Sequence, residues 1–126
     1  GDISRQLKTI ARQMDVPVVA CAQIGRQAEN RTETRPKLSD LRESGNIEND
    51  CDMALLLWRP EDGITGRKGT PYEGQQWDAE LEVAKNRKGL RKRFRMAWDG
   101  SRTLFSCFDH APIGEDGVLW TPDSAF

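Results

Sequence analysis

"DISRQLKTIARQMDVPVVACAQ", residues 2–23, is the stretch on which the fold class turns. Ile3, Leu7, Ile10, Ala11 and Met14 recur on one stripe at helical spacing, and Asp2 is placed to cap the start. An amphipathic helix is expected over residues 2–14. "DVPVVACAQ" then changes the period: it is short, apolar and rich in β-branched residues, as a strand buried on both faces is. Pro17 is tolerable near the start of such a strand. A helix followed by a buried strand is half of a parallel βαβ unit. No strand precedes the helix in this sequence, so a piece of a larger α/β domain is expected.

Working outward, residues 23–40 are polar and charged with few apolar anchors, which reads as a long exposed loop. Residues 39–50 suit one or two short helical turns broken at Gly45, and "MALLLW", 53–58, is the next strand. The glycines between Glu61 and Gln76 mark a flexible loop. From 78 to 108, "DAELEVAK", "KRFRMAW" and "RTLFSCF" read as a three-stranded antiparallel meander, with Phe94, Met96 and Trp98 on one face. Residues 109–126 read as an acidic tail containing Pro and Gly, outside the domain spanning 1–108.

With 126 residues, the chain has room for one domain. The net charge of −1 conceals segregation. Residues 85–95 carry Lys85, Arg87, Lys88, Arg91, Lys92, Arg93 and Arg95 with no acid, so a polyanionic partner is not excluded. Cys21, Cys51 and Cys107 form no CxxC pair, and each lies in or beside an apolar run. Buried free thiols in a reducing compartment are expected. With His110 as the one histidine, no metal-ligand spacing exists. No apolar run approaches the ~20 residues of a membrane span, so no membrane partner is expected and cytoplasmic is the expected location.

Three constellations could carry function. Lys85 and Arg87, two residues apart at a strand end, point the same way, and the fork of an arginine suits phosphate oxygens. A solvated hairpin tip explains the same charges. Gln23 follows the expected buried strand, where an α/β sheet opens to its ligand crevice. Merely meeting solvent is the commoner fate of such a residue. Finally, Arg42, Glu43, Ser44 and Gly45 in "SDLRESG" fit an ordinary turn capped by Ser39 and ended by Gly45. The backbone amides around Glu43 to Gly45 could equally form a nest for anions. No G-x-x-x-x-G-K-[ST] loop occurs in the sequence.

Taken together, "ISRQLKTIARQMDVPVVACAQIGRQAENR", "RPKLSDLRESGNIENDCDMALLLWRPE" and "AELEVAKNRKG" resemble the C-terminal part of the DnaB-type bacterial replicative DNA helicases, from about Ile3 to Phe108. The order and spacing of the three blocks match. The resemblance implies a partial RecA-like core in which a helix and parallel strands precede the antiparallel meander. It implies a homo-hexameric ring on single-stranded DNA, driven by ATP with Mg²⁺. Gln23 matches the glutamine that senses nucleotide state. Arg42, Glu43, Ser44 and Gly45 match the DNA-binding loop. Lys85 and Arg87 match the pair that reaches the ATP of the neighbouring subunit. The phosphate-binding loop and the Mg²⁺-binding aspartate would lie before Gly1, so this chain alone is expected to be inactive. A departure is Ala22-Gln23-Ile24, where the family commonly shows Ser-Gln-Leu. The competing expectation is a non-catalytic module of the same origin that binds nucleic acid or another subunit.

Overall fold

The computed structural model describes residues 2–24, 34–44 and 46–107. Helix α1, Asp2–Met14, occupies the expected span. It stops because Asp15 turns into the left-handed region (φ 53°) and the amide of Val16 bonds back to the carbonyl of Ala11 at 3.1 Å, a Schellman-type end. A 3₁₀ helix over Leu38–Ser44 and a one-turn helix α2 over Ile47–Asp50 follow. These are the two short turns expected on either side of Gly45, which itself lies outside the described residues.

The sheet has four strands, β1 (Met53–Trp58), β4 (Ala79–Asn86), β5 (Lys92–Asp99) and β6 (Leu104–Cys107), in the order β1-β4-β5-β6. Every pairing in it is antiparallel, and the last three strands are the expected meander. Alternation divides its two faces. Ala54 and Leu56 are buried beneath Leu41 and Ala84, joined by the half-buried Ile24, Leu38, Ile47 and Cys51. On the other face Met53, Leu55 and Leu57 of β1 stand about half exposed. The ladder slips between Ala54 and Leu55, where Ala84 is the extra residue of a bulge in β4.

Three expectations need correction. The strand expected over "DVPVVACAQ", 15–23, is not seen among the described residues: residues 16–24 have no regular structure and Val19 is 92% exposed. An apolar parallel strand needs a ladder partner and cover on both faces, and the described residues supply neither. The cysteines are free, but Cys21 and Cys107 are exposed and Cys51 is only half-buried. Cys21 lies in that unpaired stretch, and Cys107 ends the edge strand β6. Residues 61–76 are not loop throughout. They lead into a two-stranded hairpin of β2 (Ile64–Thr65) and β3 (Gln76–Trp77), with Ile64 and Trp77 buried. Gly66 is needed there, because a Cβ would stand 1.8 Å from the Tyr72 carbonyl oxygen.

The hairpin is held to the sheet through Glu80. This carboxylate is 1% exposed, accepts from Nε1 of Trp77 at 3.2 Å and from Arg35, and has Nε of Arg93 at 3.9 Å. Arg35 also lies over the Trp58 ring at 4.5 Å, and Nε1 of Trp58 donates to Oγ1 of Thr34. The strap 34–37 is thereby fixed across the sheet, and the 3₁₀ helix begins from it. Part of the expected 23–40 loop, residues 25–33, lies outside the described residues, as does the tail 109–126.

Candidate nucleic-acid and nucleotide interface

The segment that carries the "SDLRESG" motif is positioned from both ends. At its start the carboxylate of Asp40 accepts from the amide of Lys37 at 2.8 Å, so Asp40 rather than Ser39 caps the 3₁₀ helix. Midway, Leu41 is 7% exposed and roots the helix in the core. Arg42, Glu43 and Ser44 form its last turn; their side chains, like Gly45, lie outside the described residues.

At the other end stand Lys85 and Arg87. β4 runs antiparallel to β1, so the end of β4 lies beside Asp52, the residue that leads into β1. The ladder continues one step further through the Arg87 amide, which donates to the Asp52 carbonyl at 2.9 Å. Both side chains then converge on the C-terminal end of α2. Nζ of Lys85 donates to the Glu48 carbonyl at 2.7 Å and to that of Asn49 at 3.4 Å. The Arg87 guanidinium donates to the Asn49 carbonyl at 3.3 Å and to Oδ1 of Asp52 at 3.0 Å.

From α1, Nζ of Lys8 reaches the Asp50 carbonyl at 2.8 Å and the same Oδ1 of Asp52 at 3.0 Å. Oγ of Ser4 donates to the Asp50 carboxylate at 2.6 Å. A helix leaves its last carbonyls without intrahelical partners. Here Cys51 N takes that of Ile47, Lys85 that of Glu48, Arg87 and Lys85 share that of Asn49, and Lys8 takes that of Asp50. Three cations at the negative end of the turn also suit its dipole. The Lys8 ammonium, more than the nearby Arg87 and Arg12, holds the Asp52 carboxyl below its ordinary value.

A groove of about 590 Å³ opens beside this cluster, between α2 and the β4–β5 turn, with Leu38, Lys85, Arg87 and Arg91 on its walls. The sequence reading missed Asp52 and Lys8. Asp52 and Arg87 are 35 residues apart, and only strand register brings them together. Gln23 is exposed at the end of the unpaired 16–24 stretch, and no hydrogen bond joins it to Lys85 or Arg87 among the described residues. Nor, among those residues, do three His, Cys, Asp or Glu side chains gather as a metal site would require. No helix there is long and apolar enough to cross a membrane.

Residues 1–107 match the model of the DnaB-like helicase C-terminal domain. Similar full-length sequences include the replicative DNA helicase DnaB of Leifsonia xyli, 42% identical over 113 residues that cover 90% of this chain and 23% of that protein. The same-named protein of Mycoplasma pneumoniae is 36% identical, over 89% of this chain and 24% of its own length. The chain thus spans about a quarter of the length of these two relatives. Among solved structures, a DnaB-like replicative helicase studied with primase superposes with a TM-score of 0.62 and 38% identity, covering 78% of this chain and 22% of that one. An isolated ATPase domain gives 0.68 and 33%, covering 86% and 36%.

Proposed function

Because this chain belongs to the family of DnaB-like helicase C-terminal domains, we propose that it serves as the trans-acting and DNA-facing part of a hexameric, ATP-driven replicative helicase with a RecA-like core. The observation that carries this reading is the convergence of Lys85 and Arg87 at the end of β4. Both lie on the same side as the turn that follows Arg42–Gly45. The two cations proposed for phosphate thus bond the end of the turn that follows, in the chain, the segment proposed to hold single-stranded DNA.

ATP with Mg²⁺, bound mainly by a neighbouring subunit, would supply the phosphoryl group that passes to water. The described residues offer no ligand set for the metal. Lys85 and Arg87 suit the phosphate oxygens. A guanidinium presented from across a subunit boundary stabilises charge that grows in the transition state, so it acts on turnover more than on binding. Such arginines are worth about 10³ to 10⁵ in rate. Gln23 is assigned to sensing nucleotide state. Arg42, Glu43, Ser44 and Gly45 are assigned to gripping the phosphates of the strand through backbone amides, without reading bases.

Mixed rings test the trans assignment. In a helicase carrying this segment, Arg87→Ala should leave ATP binding largely intact and remove most DNA-stimulated turnover. Mixing it with a variant lacking its phosphate-binding-loop lysine should restore partial activity, because some sites then have both halves intact. No recovery in rings whose mixing is verified refutes the assignment.

A further inference from the structure

Asp52 sits between the end of β4 and helix α1, where Arg87 and Lys8 meet. Its Oδ1 is shared by Lys8 and Arg87, each at 3.0 Å, and its carbonyl accepts the Arg87 amide. It lies two residues past the turn Ile47–Asp50, whose C-cap is Cys51 and whose N-cap, Asn46, follows Arg42–Gly45 in the chain. Its side chain is 70% exposed and that of Arg87 is 44% exposed, so the pair is solvated and weak. A guanidinium has more N–H donors than these contacts use, and its fork matches phosphate at least as well as carboxylate.

We propose that Asp52 is a positioning residue, a latch that holds Arg87 on the carbonyl end of α2 until a phosphate of the neighbouring subunit takes its place. The inference rests on the trans assignment of Arg87. In the latched arrangement Arg87 bonds Asp52 and the Asn49 carbonyl, and the turn behind the DNA loop keeps its cap. When Arg87 swings to phosphate, it gives up both contacts. The Asn49 carbonyl then keeps only Lys85, at 3.4 Å, and the end of the turn is held less tightly. Coupling of this kind is reciprocal for binding: whatever draws the end of the turn away from Arg87 favours release of Arg87. A strongly bound, buried pair could not exchange in this way, so the exposure of Asp52 is part of the device.

Asp52→Asn, measured in the assembled helicase, separates this from a supporting role, because the amide keeps the shape and loses the charge. The latch predicts a DNA-free kcat raised by about two- to fivefold, the worth of an exposed pair. KM for ATP and the DNA-saturated rate should be unchanged, so the stimulation ratio falls by the same factor. Asp52→Glu should restore most of the ratio, and Asp52→Asn should change nothing in an Arg87→Ala background. If Arg87→Ala abolishes turnover while Asp52→Asn leaves the ratio as it was, the latch is overturned and the trans assignment stands. A parallel fall of both rates also overturns it, since Asp52 would then only support the fold. If Arg87→Ala remains active, the trans assignment itself has failed, and the latch fails with it.

Discussion

Replacing Glu80 with alanine should cost this fold about 3 kcal/mol, near the lower end of the ~3–5 kcal/mol for removing one partner of a buried ion pair. The carboxylate is 1% exposed and serves Trp77, Arg35 and Arg93 at once. Its loss takes this charged acceptor from two cations and an indole N–H, and a hydrogen bond to a charged group is worth about 1.5–3 kcal/mol. The sum is not reached because two partners have somewhere to go. Arg35, 19% exposed at its side chain, can turn toward water, and Arg93 keeps Glu82 at 3.8 Å. Arg93 has the least freedom: burial first, then the nearby charge of Arg35, already pushes its guanidinium below the ordinary value. Urea titration of the chain and its variant should show the midpoint moving at constant slope, with a fall in Tm on the order of 10 °C. The pair Glu80→Leu with Arg93→Met should then lose at least ~1 kcal/mol less than the sum of the two single changes, because an apolar pair replaces a broken ionic one. A loss below about 1 kcal/mol for Glu80→Ala is what a surface pair gives. It would refute the claim that this carboxylate holds the hairpin, strap and sheet together.

Two further outcomes are expected. If backbone amides around Glu43 to Gly45 grip phosphates, Gly45→Val in the assembled helicase should weaken single-stranded DNA binding while Tm and hexamer content hold, and the salt dependence should keep a slope near −0.7 per phosphate contact. Loss of affinity only in step with Tm would reduce Gly45 to a helix stop. Asp52 should titrate below the ordinary carboxylate value of 3.8, chiefly through Lys8. A carboxyl lowered on folding contributes fully above its unfolded pKa, and that contribution disappears as pH falls through the lower folded value. An NMR titration that places Asp52 at or above 3.8, or that does not move upward in Lys8→Met, would contradict the shared-acceptor geometry.

The sequence by itself determined what depends on neighbours along the chain. The stripe from Ile3 to Met14 specifies α1, and the alternation from Ala79 to Cys107 specifies the meander, because periods of 3.6 and 2 are local properties. The motifs "SDLRESG" and "AKNRKG" identified the family and marked Arg42–Gly45 and Lys85–Arg87, since both are contiguous words. Only the tertiary structure decided the rest. "DVPVVACAQ" has every local mark of a strand, yet a strand exists only with a partner for its backbone groups, and none appears among the described residues. The glycines of 61–76 signalled a loop, whereas Trp77 and Glu80 fix a hairpin there through a buried contact. Asp52 was invisible as a site residue. Its role follows from the register that sets Met53 against Asn86, and so brings Arg87 to a carboxylate 35 residues away. Long-range pairing of this kind is a property of the folded chain and leaves no mark on residue spacing.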